Sequence, residues 1–154
     1  MKKQKGFSLI ELLIVVAIIL IIAAIAIPNL IKSKMAANEA AAVGGLRTIT
    51  TGQISYATAC PTIGFSTTLK ELGPAGSLCA GGNNVIDGNL AAGTKSGYTF
   101  TDPVTAGVPI SSFSTTASPV TPGSSGTRYF FVNETGVIRY NQKVTATVAD
   151  LALQ

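Results

Sequence analysis

The sequence contains no histidine and no tryptophan. Without imidazole there is no Ser-His-Asp or Cys-His catalytic arrangement, and no histidine-ligated metal site. Charge is scarce as well: 12% of the 154 residues are charged, about half the usual share. The seven acids are scattered, so no carboxylate pair suggests general acid–base chemistry. Gly44-Gly45 and Gly81-Gly82 lie outside any P-loop or GxGxxG frame. Neither an enzyme nor a cofactor is expected.

The charge that is present is unevenly placed. Net charge is +4, and Lys2, Lys3 and Lys5 supply three of those units. From Cys60 onward Lys70, Lys95, Arg128, Arg139 and Lys143 balance Glu71, Asp87, Asp102, Glu134 and Asp150. A neutral body cannot neutralise many phosphates, so direct nucleic-acid binding by this chain is not expected.

Three zones follow one another. In the first, the lysines and Gly6 precede Phe7-Ser8-Leu9-Ile10-Glu11, and residues 12–27 carry no polar side chain. Residues 7–27 would span roughly 31 Å as a helix, enough to cross a bilayer core. The lysine flank orients such a helix with its leader cytoplasmic and all that follows Ile27 across the membrane. A cleaved secretory signal is a competing reading, because Ala24-Ile25-Ala26 fits the small-x-small rule. Against it stand the length of the run, Glu11 within it and Pro28 just beyond the cut. A plain anchor leaves Glu11 unexplained, and a lipoprotein signal needs a Cys that is absent before Cys60.

Glu11 is the most informative residue. A carboxylate within a membrane helix costs a few kcal/mol at the bilayer centre and usually marks function. It lies one turn beyond Phe7, near the interface, where snorkelling reduces that cost. Cleavage between Gly6 and Phe7 would create an α-amino cation, and a carboxylate on a neighbouring copy is its fitting partner.

Lys-Gly-Phe-Ser-Leu-Ile-Glu, followed by a long Leu/Ile/Val/Ala run and Pro28, resembles the class III signal of type IV pilins and pseudopilins. The likeness covers residues 2 to about 30. It implies that a prepilin peptidase removes Met1 to Gly6 and N-methylates Phe7. It also implies that Glu11 pairs with the Phe7 amine of the adjoining subunit, and that the helix kinks or melts near Pro28.

The second zone, residues 28–59, reads as the helix continuing outside the membrane. Ile31, Met35, Ala42, Leu46, Ile49 and Tyr56 form one stripe of an amphipathic helix, expected to pack on a sheet. Gly44, Gly45 and Gly52 weaken it by about 1 kcal/mol each. They either permit close helix approach in a bundle or mark a bend.

The third zone, residues 60–154, is a head rich in Ser, Thr, Gly and Pro. Short alternating runs at 98–100, around Phe113, at 129–132 and at 137–140 predict a three- or four-stranded antiparallel sheet covered on one face by the helix. Asn133-Glu134-Thr135-Gly136 reads as a hairpin turn, with Gly136 suited to positive φ. Asp87-Gly88-Asn89-Leu90 suggests a short helix or turn. Residues 114–126 read as a strand end and an exposed loop.

Cys60 and Cys79 favour a disulfide outside the cytoplasm. Such a bridge would contribute about 3 kcal/mol; free thiols or a redox pair are the alternatives, the latter disfavoured by the spacing. Asn133-Glu134-Thr135 matches a glycosylation acceptor, but the turn already explains it. Asn83, Asn84, Asp87, Asp102 and Asp150 could supply oxygen ligands, yet no calcium loop joins them, and no metal site is expected.

The expected fold is α+β: a long N-terminal helix, half transmembrane, packed on a small antiparallel head. The domain reading is leader 1–6, transmembrane and assembly helix 7–27, amphipathic continuation 28–59 and head 60–154. The resemblance implies a structural subunit of a type IV pilus-like filament, serving adhesion, motility or DNA uptake. Its partners would be copies of itself, a prepilin peptidase and an inner-membrane assembly platform. It would wait in the inner membrane before reaching a surface pilus or a periplasmic pseudopilus. The alternatives are a pseudopilin of a type II secretion system and a membrane-anchored binding module that never polymerises.

Overall fold

The structure is a computed structural model that describes residues 7–74, 85–101, 107 and 109–153. The chain divides into two compact units, Met1–Lys34 and Met35–Gln154. Helix α1, Leu9–Ala59, contributes to both.

In the first unit α1 starts directly after Ser8. The Leu12 amide donates to the Ser8 carbonyl at 3.2 Å, and the Ser8 amide donates to Glu11 Oε2 at 2.9 Å. Ser8-Leu9-Ile10-Glu11 thus supplies one arm of a capping box, in which an acid three residues into the helix satisfies a backbone donor at its start. Residues 7–30 are exposed except half-buried Ala23. The helix is unbroken through Pro28, so the local melting expected there is absent from the single chain. Proline withholds one amide from the helical ladder, and the turns on either side still hold. Asn29 Nδ2 donates to the Ile25 carbonyl at 3.1 Å, adding a side-chain bond beside the proline.

The second unit is built on the remainder of α1. Two four-residue helices, α2 (Leu69–Leu72) and α3 (Gly88–Ala91), precede the strands. The strands are β1 (Thr94–Lys95), β2 (Tyr98–Phe100), β3 (Ser114–Pro119), β4 (Tyr129–Asn133), β5 (Arg139–Asn141) and β6 (Leu151–Ala152). They form one antiparallel meander in the order β1-β2-β3-β4-β5-β6. Among the described residues, six strands replace the three or four expected. Two of the additions, β1 and β6, are only two residues long and exist through pairing with a neighbour, not through a pattern of their own.

The Ser/Thr-rich stretch 114–119 is the longest strand, where a strand end and loop were expected. Thr115, Ala117 and Pro119 alternate inward, with Thr115 opposite Val132 and Ala117 opposite Phe130. Small inward residues between larger neighbours complete the sheet, although they carry little hydropathy. Phe113 stands just before the strand and packs on Phe65 with ring centroids 5.0 Å apart.

Tyr98, Phe100, Ala117, Phe130 and Val132 face a core that includes Ala42, Leu46, Ile49 and Tyr56 of α1. The buried stripe is therefore the one expected from Ala42 onward. Met35 is half-buried and Ile31 is exposed, so the stripe begins later than its periodicity suggested. Gly45 answers one question the sequence left open. A β-carbon there would lie 3.0 Å from Phe100 Cζ, whereas one on Gly44 would meet open space. Glycine at 45 lets the helix approach its own sheet.

The turns follow their chemistry. The Gly136 amide donates to the Asn133 carbonyl at 2.9 Å, and Gly136 has φ 72°. Ser96 and Gly97, both at positive φ, join β1 to β2. Asp87 caps α3, accepting from the Asn89 and Leu90 amides. It also pairs with Lys95 at 2.7 Å; with these donors, Lys95 first, its carboxyl lies below the usual range.

Candidate functional site

Two sets of residues carry the functional question: the N-terminal segment that could associate, and the polar contacts that hold the head in shape.

The N-terminal part of α1 is long and apolar enough to cross a membrane, and none of that apolar stretch is buried in the chain. Phe7 is 79% exposed. Glu11 is exposed too, and of its two carboxylate oxygens Oε2 accepts from Ser8 while Oε1 accepts no bond among the described residues. The carboxylate is thus tied to the Ser8 amide at the start of the helix. Gly6 and the rest of the leader lie outside the described residues, as does Cys79. Cys60 is buried at the end of α1, and no described cysteine is free.

The head is pinned to α1 at two buried polar residues that the sequence did not single out. Glu39 is 6% exposed. Its Oε1 accepts from the Thr127 amide at 2.8 Å, the Thr127 hydroxyl at 3.1 Å and the Arg128 amide at 3.2 Å. Its Oε2 accepts from Arg128 Nε at 2.7 Å. Burial alone pushes this carboxyl upward, but the Thr127 and Arg128 donors and the guanidinium charge together hold it below its ordinary value. One residue earlier, Asn38 Nδ2 donates to the Ser125 carbonyl at 2.9 Å. Asn38 and Glu39 therefore fix residues 125–128 against the helix.

Close approach of the chain makes this joint compact. Gly126 has no room for a β-carbon, because Tyr98 Oη occupies that position. Tyr98 Oη donates to the Arg128 carbonyl at 2.8 Å. Burial, with the nearby Glu39 charge, raises the Tyr98 phenol far above its ordinary value. Arg128 lies 5.5 Å from the Phe130 ring centroid and 5.7 Å from that of Tyr140, within cation–π range.

Gln53 is the second joint. It is fully buried, donates to the Ser66 carbonyl at 3.2 Å and accepts from the Ser66 amide at 2.8 Å. Its amide replaces a strand partner for that peptide. The sequence signal was present in both cases: Glu39 lies three and four residues before Ala42 and Val43, and Gln53 lies four after Ile49, on the buried face. Polar residues at core positions require partners. Those partners sit 88 and 13 residues away, which periodicity cannot reveal.

Of the candidate oxygen ligands, Asp87 is engaged by α3 and Lys95, and Asp150 accepts from the Thr147 amide, the Thr147 hydroxyl and Asn141 Nδ2. Those donors, the Thr147 amide foremost, hold the Asp150 carboxyl below its ordinary value. Asn83, Asn84 and Asp102 lie outside the described residues. Among the described residues no three His, Cys, Asp or Glu side chains gather as a metal site would need.

A long helix with an exposed apolar first part, and a second part built into a small antiparallel head, defines a pilin-like α+β protein. Comparison with known proteins agrees. Residues 1–27 match the family described as the prokaryotic N-terminal methylation motif. The chain is 39% identical over 98 residues to a type IV major fimbrial protein of Dichelobacter nodosus, covering 60% of this chain and 53% of that protein. It is 50% identical over 54 residues to a type IV major pilin of Myxococcus xanthus, covering 35% and 24% respectively. It is 59% identical over 39 residues to a type IV wide pilus major component of Thermus thermophilus, covering 25% and 30%. The chain thus spans about a quarter to about half the length of these curated relatives. No solved structure gives a significant match. By its N-terminal motif and its architecture, the chain resembles the type IV pilins.

Proposed function

We propose that this chain is a structural subunit of a type IV pilus-like surface filament, acting by assembly and not by catalysis. The observation that carries the proposal is the exposed apolar helix behind a methylation-type N-terminus. Prepilin peptidase cleaves between Gly6 and Phe7 and methylates the new Phe7 amine. The processed chain waits in the inner membrane with its head outside the cytoplasm. An inner-membrane assembly platform then transfers its helix from lipid to a bundle of like helices.

Lipid tails are as apolar as leucine, so water exclusion supplies little drive for this transfer; close packing and polar pairing must supply it. Glu11 fits the pairing role. Its Oε1 is open to an N–H donor, and the methylated Phe7 amine of the adjoining subunit is a cation that needs one carboxylate. A desolvated pair of this kind fixes axial register, because a shifted subunit leaves both charges unpaired. Pro28 is where the helix would bend or unwind on packing. A Cys60–Cys79 bridge would tie the end of α1 to the head.

The relatives' own descriptions as major pilin and fimbrial proteins favour the surface pilus over the secretion pseudopilus. Adhesion, motility and DNA uptake are all compatible with such a fibre. Mass spectrometry of filaments sheared from cells tests the reading. This chain should dominate the sheared fraction and begin at N-methylated Phe7. Retention of the Phe7 form in the membrane would favour the pseudopilus. A chain still beginning at Met1 would leave the anchored binding module.

A further inference from the structure

Among the described residues, Glu134 is the carboxylate with no hydrogen bond or ion pair. Glu11 accepts from Ser8, Glu39 from Thr127 and Arg128, Glu71 from Ser66 and Thr67, Asp87 from Lys95 and its helix, and Asp150 from Thr147 and Asn141. Glu134 instead stands exposed at the tip of the β4–β5 hairpin, in a turn held by Asn133 and Gly136. In a chain so poor in charge, a lone acid on a rigid tip stands out.

A matching cation lies at the other end of the same strand. Arg128 immediately precedes β4, and Glu134 immediately follows it. Arg128 uses Nε for Glu39 and, among the described residues, neither Nη group makes a hydrogen bond, with its side chain 34% exposed. It lines a hollow of about 350 Å³ with Tyr140 and residues 151–153. A second hollow of about 310 Å³ adjoins it across Tyr140 and Leu151, and there the exposed Gln142 amide makes no hydrogen bond of its own. Asp150, which lines the second hollow, is already engaged by Thr147 and Asn141. The site offers the unbonded edge of a guanidinium beside an aromatic wall, which suits one incoming carboxylate.

We propose that the heads contact one another head to tail, with the Glu134 hairpin tip of one copy seated in the Arg128–Tyr140 hollow of the next. The contact deepens the filament reading above and rests on it. Its two surfaces differ, so the contact is heterologous, and a heterologous contact that does not close on itself propagates into a fibre. The five residues of β4 lie between Arg128 and Glu134, six steps of extended chain that hold tip and hollow about 20 Å apart on one head. No chain can therefore satisfy its own Glu134 at this hollow, and pairing requires a second copy.

The test uses full-length chain assembled into filaments by cells. Thr135→Cys, beside Glu134 on the same tip, and Gln142→Cys are introduced together, both at exposed positions outside the core and both leaving the Glu134 carboxylate in place. Their separation within one head exceeds the roughly 7 Å Cα limit for a disulfide, so any bond joins two copies. After mild oxidation, sheared filaments should give a ladder of disulfide-linked dimers and longer multimers on a non-reducing gel. Either single-Cys variant should run as a monomer. If the paired variant assembles poorly, cells making the two single-Cys chains together should still give a cross-linked dimer. Intact filaments that stay monomeric in both formats would overturn the contact while leaving the filament reading standing. Dimers from Thr135→Cys alone would overturn it in favour of a tip-to-tip contact. Absence of sheared filaments from wild-type cells would instead remove the filament reading itself, and the contact with it.

Discussion

Glu39→Ala should unfold the head about 8 °C earlier than wild type, and the value can be worked from the joint it dismantles. The carboxylate accepts four hydrogen bonds, from the Thr127 amide and hydroxyl and from the Arg128 amide and Nε. Removing one member of a buried ion pair typically costs 3–5 kcal/mol, because the other charge is left without a partner. Here the Arg128 side chain is 34% exposed, so water recovers part of that loss. Thr127 is exposed as well and can bond to solvent. A net cost of about 2 kcal/mol remains, equivalent to roughly 8 °C for a unit of this size. The assay is thermal unfolding of the full chain in detergent, followed by tyrosine fluorescence, since Tyr98 and Tyr140 flank the joint. The pH dependence supplies an independent check. Glu39's folded-state pKa is depressed, so its contribution is fully present above the unfolded value of about 4.3 and fades as pH falls through the lower folded value. Wild type and Glu39→Ala should therefore converge in acid. A difference under 2 °C at pH 7, or one that persists unchanged in acid, would refute the joint.

Three further outcomes follow from single contacts. Thr115→Val should stabilise the head by about 1 kcal/mol in the same melt, because the buried Thr115 hydroxyl has no hydrogen-bond partner among the described residues and valine keeps its shape. Gln53→Leu should destabilise by about 2 kcal/mol, since the Ser66 amide and carbonyl lose their buried partner; an unchanged melting point would mean that water replaces the amide. Glu11→Ala should leave leader removal intact, read as Phe7 at the mature N-terminus, yet yield few sheared filaments when it is the sole subunit. Wild-type filament yield from that variant would sink the pairing role.

Local signals made much of this protein legible without coordinates. The apolar run from Leu12 to Ile27 and the stripe Ala42, Leu46, Ile49 and Tyr56 depend on the helical period alone. The Asn133–Gly136 turn and the Asp87 cap each depend on a few neighbouring residues. The Lys-Gly-Phe-Ser-Leu-Ile-Glu segment is a linear signal, readable because a processing enzyme would meet it as a linear segment. Ser8 and Glu11 also lie in capping-box register, so the bond between them follows from their spacing alone.

What tertiary structure decided is everything that depends on distant partners. Residues 114–119 contain no large apolar side chain, and only pairing with β2 and β4 makes them a strand. β1 and β6 are too short to show a period and exist by neighbouring hydrogen bonds. Glu39 could have been one more solvated charge on a mixed helix; its burial follows from Thr127 and Arg128 folding back from 88 and 89 residues away. The same return places Arg128 at one end of β4 and leaves Glu134 at the other. Periodicity records which way a residue faces along its own element, because it arises from backbone geometry. Which group waits on that face is set by chain reversal and sheet register, and a linear pattern carries neither.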